Sequence, residues 1–373
     1  MLSKIIEAEQ RLNQLLPAER LEGSPPAHLI TAAGAWSNLV WLMAEQLGPM
    51  PLTAGQITQG LELVQKPVFI CGVHRSGTTL LKDILDGHPD LLVLPSEGTF
   101  YTNLEFKLQR LPANDWAGFL GREWLRRIAN PINQPPYWLL GHSDNTDSPY
   151  VNFARYMMAW WAIIDHKKGT QWPHQAIVLA YASVTDKLTA QQWVDKTPTN
   201  ERFVNRIWRE MPHAKIIHIV REPVATLTSR KKMEPAISLR NALGYLKTSF
   251  TIAAKLQRVN EPRFMLLRYE DLCNQPQKAI KQLAAFLNIK ALSVLGRPSV
   301  AGMPSQANSS FKKETKAGVI LKQDQQVQQE VLSIAEQQLI AACMAKLAAK
   351  QHYKLASIGL LRGLYLSLRY RAF

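Results

Sequence analysis

The segment Gly72-Val-His-Arg-Ser-Gly-Thr-Thr79 constrains the fold more than any other part of the chain. An apolar run of strand length, Pro67 to Gly72, leads into it, and a helical stretch, Thr78 to Leu85, follows it. A glycine-containing turn between a strand and a helix gathers backbone N–H groups around one point, and the positive end of the helix dipole adds to their effect. The segment therefore predicts a phosphate-binding loop in an α/β fold.

The loop has the Gly-x4-Gly spacing of a Walker loop but lacks its lysine. Thr78 stands at that position, whereas a nucleoside triphosphate site needs a Lys on the β- and γ-phosphates and a Ser or Thr on magnesium. Arg75 supplies a positive charge earlier in the loop. The pattern favours an anion site of a different kind, and the alternative is a plain glycine turn capped by a threonine.

Short apolar strands alternate with helices through the middle of the chain, which predicts a parallel sheet covered on both faces. The strand candidates are Pro67–Gly72, Leu91–Pro95, 193–195, Lys215–Val220 and Arg263–Arg268. Residues 1–64 have the pattern of helices broken at 23–26 and 48–49, and residues 276–288 and 324–350 return to helix. We expect an α/β fold with P-loop-like three-layer α/β/α architecture, a central parallel sheet and added helices at both termini.

This organisation predicts three parts of the chain. Residues 1–64 form an N-terminal helical extension, and residues 65–311 form the α/β domain with a helical, Trp-rich insert over 101–190. Residues 312–373 form a C-terminal helical extension. Six of the ten tryptophans lie between Trp116 and Trp172, where they are either the core of the insert or the lining of a pocket for a sugar, phenol or lipid.

Positive charge dominates the chain, with 44 Lys and Arg against 29 Asp and Glu and a formal net charge of +15. Residues 201–290 alone hold 17 basic and seven acidic residues. Such a surface attracts nucleic acid, anionic lipid, or phosphorylated and sulfated small molecules, and charge does not choose among them.

Three scattered cysteines do not make a disulfide framework and predict a reducing, cytoplasmic compartment. The chain contains no run of about 18 apolar residues, so no membrane-spanning helix is predicted.

At its phosphate loop the chain resembles the PAPS-dependent sulfotransferases, whose donor is 3′-phosphoadenosine 5′-phosphosulfate. Their 5′-phosphosulfate loop is similar to His74-Arg-Ser-Gly-Thr-Thr-Leu80, and the later His88-Pro-Asp90 looks most like the Golgi-type and bacterial branch, which includes the tyrosylprotein sulfotransferases. The resemblance covers about residues 66–100 and 193–311. A sulfuryl group carries less charge than a phosphoryl group, so its transfer needs no magnesium clamp and no metal site is expected. The donor-binding residues that the resemblance implies in this loop are His74, Arg75, Ser76, Gly77, Thr78 and Thr79.

The 3′-phosphate of such a donor requires a second anion site. Arg221 follows the strand Lys215–Val220, at the strand end where open α/β sheets bind ligands, and Ser229 follows about two helical turns later. In the resembled family, an Arg and a Ser at this spacing hold the 3′-phosphate. By itself Arg221 is equally consistent with a surface ion pair. Met233 stands where the family often has a further Arg, and the neighbouring basic residues 230–232 are candidates to replace it.

The resemblance also implies roles for residues near the reacting groups. Glu97 corresponds to the general base of Golgi-type relatives, with His74 and His88 as rival bases, and Lys196 corresponds to a Lys at the bridging oxygen of the donor. Tyr269 lies beside the nucleotide in relatives, although its alternative is a core ring. Ser309, Ser310 and Lys312 are similar to a late loop that closes over the donor, and the alternative there is a polar linker.

The leading prediction is therefore an enzyme that transfers a sulfuryl group from PAPS to a hydroxyl or amine of a small-molecule or glycan acceptor. A kinase or NTPase with a degenerate P-loop and a non-catalytic polyanion-binding module are the alternatives. The motifs do not predict a nucleic-acid partner. The basic, apolar segment 360–373 either packs on the fold or contacts an anionic membrane surface peripherally.

Overall fold

A five-stranded parallel sheet forms the centre of the molecule. The structure is a computed structural model that describes residues 1–17, 25–130, 135–164, 172–305, 317–322 and 331–356, with five single positions between 358 and 368. The strands of the sheet are Pro67–Cys71 (β1), Leu91–Val93 (β2), Gln192–Lys196 (β3), Lys215–Val220 (β4) and Phe264–Arg268 (β5). Their spatial order is β2-β3-β1-β4-β5, and every neighbouring pair is parallel. The predicted central parallel sheet is confirmed.

Helices precede, connect and follow the strands. Before the sheet come Leu2–Leu15 (α1), Ala27–Leu47 (α2) and Ala54–Leu63 (α3). Those between strands are Thr78–Leu85 (α4), Glu105–Leu108 (α5), Trp116–Ala129 (α6), Pro149–Ile163 (α7), Trp172–Val184 (α8), Val204–Glu210 (α9), Pro223–Met233 (α10) and Leu239–Arg258 (α11). After β5 come Tyr269–Asn274 (α12), Pro276–Leu287 (α13) and Ile334–Ala349 (α14), with a small ladder of Ser299–Val300 (β6) and Met303–Pro304 (β7).

Successive side chains of the central strands pack into two core layers, one on each face of the sheet. Phe69 and Cys71 of β1 pack with α1, α2, α6, α7 and α8 on one face of the sheet. Val68 and Ile70 pack with α4, α12 and α13 on the other face. Successive side chains of a strand point to opposite faces, so an apolar run with no polar alternation must be covered on both. The three-layer α/β/α prediction, with added helices at both termini, is confirmed.

Three tryptophans of the insert, Trp124, Trp138 and Trp160, are core residues. Trp124 and Trp160 are fully buried, and Trp36 of α2 packs edge-on against Trp138 with 5.4 Å between ring centroids. A β-carbon at Gly121 of α6 would lie 1.9 Å from a ring atom of Trp41, so these helices are in close contact. The N-terminal helices and the insert therefore share one aromatic core, and of the two interpretations of the tryptophans the core interpretation holds for these side chains.

The topology brings several loops to one edge of the sheet. Because β1 lies between β3 and β4, the chain segments that follow these three strands emerge side by side at their carboxyl ends. The segment after β2 emerges next to that of β3. In the described part of the chain, no helix combines the length and the apolar character needed to cross a membrane.

Candidate active site

The loop after β1 makes a sharp turn that depends on two glycines. Gly72 has φ 140° and Gly77 has φ 103°, both in the region that favours glycine. A β-carbon at Gly72 would lie 2.3 Å from the carbonyl oxygen of Ile219, and one at Gly77 would lie 2.3 Å from a ring carbon of Tyr269. Any side chain at either position would push the loop away from β4 or from Tyr269. The two glycines therefore fix the place of the loop at the sheet edge.

Buried polar groups support the loop from within. The Ser76 hydroxyl donates to the carbonyl oxygen of Val73 at 2.7 Å, and the Gly72 N–H donates to the carboxylate of Glu201 at 3.0 Å. Ser76 is fully buried, so its side chain shapes the loop from inside. His74 and Thr79 are exposed at the tip of the loop and the first turn of α4, and Thr78 between them is buried.

The predicted second anion site lies against this loop. The Arg75 Nε–H donates to the hydroxyl of Ser229 on α10 at 3.0 Å, and Arg221, directly after β4, donates from Nη1 to the carbonyl oxygen of Arg75 at 3.3 Å. The guanidinium carbon of Arg221 lies 4.6 Å from the ring centroid of Tyr269, at the start of α12. Four residues that the sequence analysis assigned to one ligand therefore meet at one place.

Arg221 retains hydrogen-bonding capacity at this place. Its Nε is buried and has no protein acceptor within the described residues. A buried donor without a partner is costly, so such a group indicates a ligand or water that completes it. Arg221 also faces the loop carbonyl and the Tyr269 ring, with no carboxylate bound to it among the described ion pairs. The arrangement suits an anionic ligand.

A second cluster, of opposite charges, lies after β2 and β3. Lys196, the last residue of β3, is buried, and its Nζ contacts the Glu97 carboxylate at 2.7 Å. The Glu97 side chain is 37% exposed, so the carboxylate faces open space while the lysine is buried beneath it. Thr199, three residues after Lys196, donates its N–H to the carbonyl oxygen of Gly72 at 3.0 Å, which joins this cluster to the phosphate loop.

The charges around Glu97 keep it ionised. Burial favours the neutral acid, but the opposing effect of Lys196, with His74 and Arg127, is larger and lowers the pKa of Glu97 below its usual value. Although His74 is accessible to solvent, the surrounding protein removes part of its hydration, and this loss, followed by the nearby Arg230, lowers the pKa of His74. At neutral pH the site therefore holds a carboxylate and a neutral imidazole, both of which are able to accept a proton.

Two further residues hold the Glu97 segment in place. Arg127 of α6 donates to the carbonyl oxygens of Glu97 and Gly98, and to the Thr99 hydroxyl at 3.1 Å. From the other side, the Gly98 N–H donates to the buried carboxylate of Asp195 at 2.9 Å. A β-carbon at Gly98 would lie 2.5 Å from that carboxylate, so glycine permits the contact. The base candidate is thus clamped between the insert and β3.

A cavity of about 410 Å³ opens beside Glu97 and His74. Its walls are polar near Glu97, where threonines follow β2 and β3, and partly aromatic further away. This volume lies in the range of small-molecule sites. The residues that line it include Thr99, Thr102, Asn103, Thr197, Arg202, Phe203, Thr226, Arg230 and Tyr245.

Several of the predicted site residues lie away from the cavity or outside the described residues. His88 is fully buried and its Nε2 pairs with the carbonyl of Lys290 at 2.9 Å, so this rival base is bound away from the cavity. Of the residues proposed to replace the missing family Arg, Arg230 lines the cavity and Lys231 pairs with Glu336. Residues 306–316, which include Ser309, Ser310 and Lys312, and nearly all of the segment 360–373 lie outside the described residues.

Sequence reasoning missed Arg127, Asp195 and the cavity-lining Arg202. Asp195 adjoins Lys196 in the motif Asp-Lys-Thr-Pro, which was the available signal for it. Arg127 lies in an ordinary amphipathic helix, and no local pattern marks it. The described residues contain no group of three or more His, Cys, Asp or Glu side chains arranged to hold a metal ion.

Comparison with solved structures returns sulfotransferases at low identity. The sulfotransferase domain from the Synechococcus PCC 7002 olefin synthase is 20% identical, with 82% of this chain and 94% of that chain covered and a TM-score of 0.41. STF9 from Mycobacterium avium is 13% identical, with 96% and 97% covered and a TM-score of 0.43. A sulfotransferase from Alicyclobacillus acidocaldarius is 15% identical, with 77% and 96% covered and a TM-score of 0.38. Among curated proteins there is no significant match.

The sequence itself matches a described family over most of the α/β domain. The match runs from residue 67 to residue 292, which is more than half of the chain. It begins at β1, includes the phosphate loop, Glu97, Lys196, Arg221 and Tyr269, and ends after α13. The chain belongs to the Sulfotransferase family.

Proposed function

We propose that this chain transfers a sulfuryl group from PAPS to a hydroxyl, or an amine, of a small acceptor. The family supports sulfuryl transfer in general. The observation that carries the choice of donor is the convergence of the phosphate loop with Arg75, Arg221, Ser229 and Tyr269. PAPS has an anionic group at each end of its nucleotide, and this site offers cations and hydrogen-bond donors from the phosphate loop and from the segment after β4.

The residues fit the two ends of this donor. In the proposed complex, the loop 72–79 and the start of α4 bind the 5′-phosphosulfate through backbone N–H groups. Arg221 and Ser229 bind the 3′-phosphate, for which the buried, unpartnered Nε of Arg221 is a fitting donor. Tyr269 packs beside the nucleotide. Thr78 in place of the Walker lysine fits a donor that needs no magnesium clamp.

Glu97 and Lys196 are the proposed catalytic pair. The acceptor oxygen forms a bond to sulfur while the bond between sulfur and the bridging oxygen breaks, and adenosine 3′,5′-bisphosphate leaves with the electron pair of that bond. The acceptor proton passes to the Glu97 carboxylate. Lys196 stabilises the charge that develops on the bridging oxygen.

The contact between Glu97 and Lys196 controls the basicity of Glu97 in the proposed mechanism. The 2.7 Å ion pair lowers the basicity of Glu97 as long as Lys196 is bound to it. When Lys196 turns to the leaving oxygen, Glu97 loses this partner, its pKa rises, and it becomes a stronger base. The proposal also gives Ser309 a catalytic role and Lys312 a role in donor binding. It includes a cytoplasmic location, which is based on the cysteine content.

Calorimetry with the purified full-length chain tests the choice of donor. We expect adenosine 3′,5′-bisphosphate to bind in the presence of EDTA and ATP with magnesium to bind weakly. Transfer from isotopically labelled PAPS to a panel of hydroxyl and amine acceptors then measures the activity. Magnesium-dependent ATP binding without binding of the bisphosphate would instead support a kinase or NTPase, and steeply salt-dependent binding of any polyanion would support a non-catalytic module.

A further inference from the structure

We infer that the acceptor carries an oxyanion, a carboxylate or a phosphate, in addition to the group that is sulfated, and that Arg202 binds this oxyanion. The inference rests on the proposed function, because it names the class of acceptor for the same site. It is drawn from the charges that line the cavity beside Glu97. Arg202 lies in the turn between β3 and α9 and contributes to the wall of this cavity.

The other cations at this cavity are already paired. Lys196 contacts Glu97 at 2.7 Å, and Arg230 contacts Glu234 at 2.5 Å. Arg127, behind Glu97, is bound to Glu123 at 3.1 Å. In each case a carboxylate of the chain itself neutralises the positive charge. These cations therefore attract an anionic ligand only weakly.

Arg202 differs from them. In the part of the chain that the structure describes, its guanidinium lies over the ring of Tyr245 and forms no salt bridge with a carboxylate. Its neighbour Glu201 is buried and accepts the N–H of Gly72, on the far side of the phosphate loop from solvent. Arg202 is thus an exposed cation at the cavity wall, with no salt-bridge partner among the described residues and only the buried Glu201 as a neighbouring acid.

An aromatic ring lies beside this guanidinium. The Cζ atom of Arg202 lies 5.8 Å from the ring centroid of Tyr245, on α11, which also lines the cavity. An arginine held against an aromatic face keeps the N–H groups at its edge free to bind a carboxylate or phosphate with two parallel hydrogen bonds. Tyr245 and Phe203 also offer apolar surface to the body of the acceptor.

Apart from Glu97 itself, the residues that line the cavity include no carboxylate that would repel an anion. The polar uncharged residues of the lining include Thr99, Thr197, Thr199 and Asn103. An acceptor that reaches from Glu97 to Arg202 would therefore present its nucleophile at one end and its oxyanion at the other.

Matched acceptors test this directly with the full-length enzyme. The probes are ω-hydroxyoctanoate, its amide and ω-hydroxyoctyl phosphate, with para-hydroxyphenylacetate and its amide as an aromatic pair. Binding to the complex with adenosine 3′,5′-bisphosphate is measured by calorimetry, and transfer is measured with labelled PAPS. We expect an acid or the phosphate to bind at least about tenfold more tightly than its neutral partner, which is the scale of one charge-assisted contact. The carboxylate and phosphate arms show which oxyanion is preferred.

Variants of Arg202 complete the test. Arg202→Gln should abolish the preference for the charged probe over its neutral amide, while Arg202→Lys should keep part of this preference. The matched control is Arg209→Gln, because Arg209 is exposed on α9 and does not line the cavity. Equal binding of acid and amide by the unmodified enzyme, no binding of any charged probe, or a preference that persists in Arg202→Gln would overturn the inference.

These outcomes are separable from a failure of the proposed function. If adenosine 3′,5′-bisphosphate binds and the probes are not distinguished, only the inferred acceptor class is wrong. If the bisphosphate does not bind, the choice of donor is wrong whatever the probes do.

Discussion

The proposed donor half and the proposed acceptor half of the site are built in different ways. In the donor half, the loop after β1 and Arg221 after β4 follow directly from adjacent central strands. In the acceptor half, the segment that carries Glu97 is held by Arg127 from the insert, and the cavity takes its walls from α10 and α11. The segments after two central strands thus supply the loop and Arg221 of the proposed donor half, while helices outside the sheet complete the proposed acceptor half.

The two halves also differ in how their charges are satisfied. Arg221 contacts a carbonyl oxygen and an aromatic ring, so an anionic ligand has to supply the opposing charge. Lys196 and Glu97 neutralise each other before any ligand binds. We therefore expect changes in the donor half to alter donor affinity, and changes at the Glu97–Lys196 pair to alter turnover while donor affinity is kept.

Glu97→Gln is the change with the largest expected effect. Glutamine keeps the size of the side chain but is not a base, so turnover should fall by roughly 10²-fold or more. Affinity for adenosine 3′,5′-bisphosphate should stay the same or increase, because Lys196 is released from its ion pair. Steady-state transfer and calorimetry on the same preparation measure the two quantities.

His74 is the alternative to Glu97 as the general base of the acceptor half. His74 lines the same cavity and its lowered pKa keeps it neutral near pH 7. If Glu97→Gln retains full turnover and His74→Ala loses it, the base is the histidine and the Glu97–Lys196 pair has only a structural role.

Arg221→Ala tests the donor half and should act on affinity alone. A charge-assisted hydrogen bond is worth about 1.5–3 kcal/mol, so affinity for adenosine 3′,5′-bisphosphate should fall by roughly 10- to 150-fold. Turnover at saturating PAPS should change much less. An unchanged affinity would remove Arg221 from the donor site, and a fall in turnover alone would contradict the contrast between the halves.

Arg127→Gln should have a smaller effect, on turnover only. The guanidinium holds the carbonyl oxygens of Glu97 and Gly98, so its loss should loosen the base and lower kcat by about tenfold while donor affinity is kept. Arg126→Gln is the matched control, since Arg126 pairs with the same Glu123 but does not reach the Glu97 segment. Equal effects of the two changes would mean that only helix stability is affected.

The donor half was largely predictable from the sequence, for a local reason. A glycine turn after a buried strand and an Arg after another are short patterns, and parallel strands bring their ends to one edge. The structure accordingly brings Arg75, Arg221, Ser229 and Tyr269 together. The strand Lys215–Val220 and the helix Thr78–Leu85 have the bounds that the sequence indicates.

The acceptor half was not predictable in the same way. The contact of Arg127 with Glu97 joins two residues 30 positions apart through the packing of α6, and an amphipathic helix pattern does not show which neighbour its arginine meets. The 5.8 Å approach of Arg202 to Tyr245 depends on how α11 lies over the turn before α9. Tertiary packing, which the sequence pattern does not encode locally, decides these contacts.

Asp195→Asn has the smallest expected effect and reports on the stability of the clamp. Burial raises the pKa of Asp195 from 3.8 to about 6, although the Gly98 N–H and the Thr197 hydroxyl oppose this. Between these values the folded chain holds a proton that the unfolded chain releases, so the free energy of unfolding falls as pH rises from about 4 to 6 and is constant above that range. The raised pKa of Asp195 therefore lowers the free energy of unfolding at pH 7 by on the order of 3 kcal/mol.

Asparagine does not titrate and still accepts the Gly98 N–H, so the decline in stability between about pH 4 and 6 should disappear. The loss of charge-assisted hydrogen bonds offsets most of the gain, which leaves a net stabilisation of about 1 kcal/mol at pH 7. Denaturant unfolding across this pH range measures the difference, with Asp186→Asn, at an exposed position, as the control. Parallel curves for the unmodified chain and Asp195→Asn would mean that Asp195 stays ionised in the fold, and that the Glu97 segment is anchored on a full negative charge.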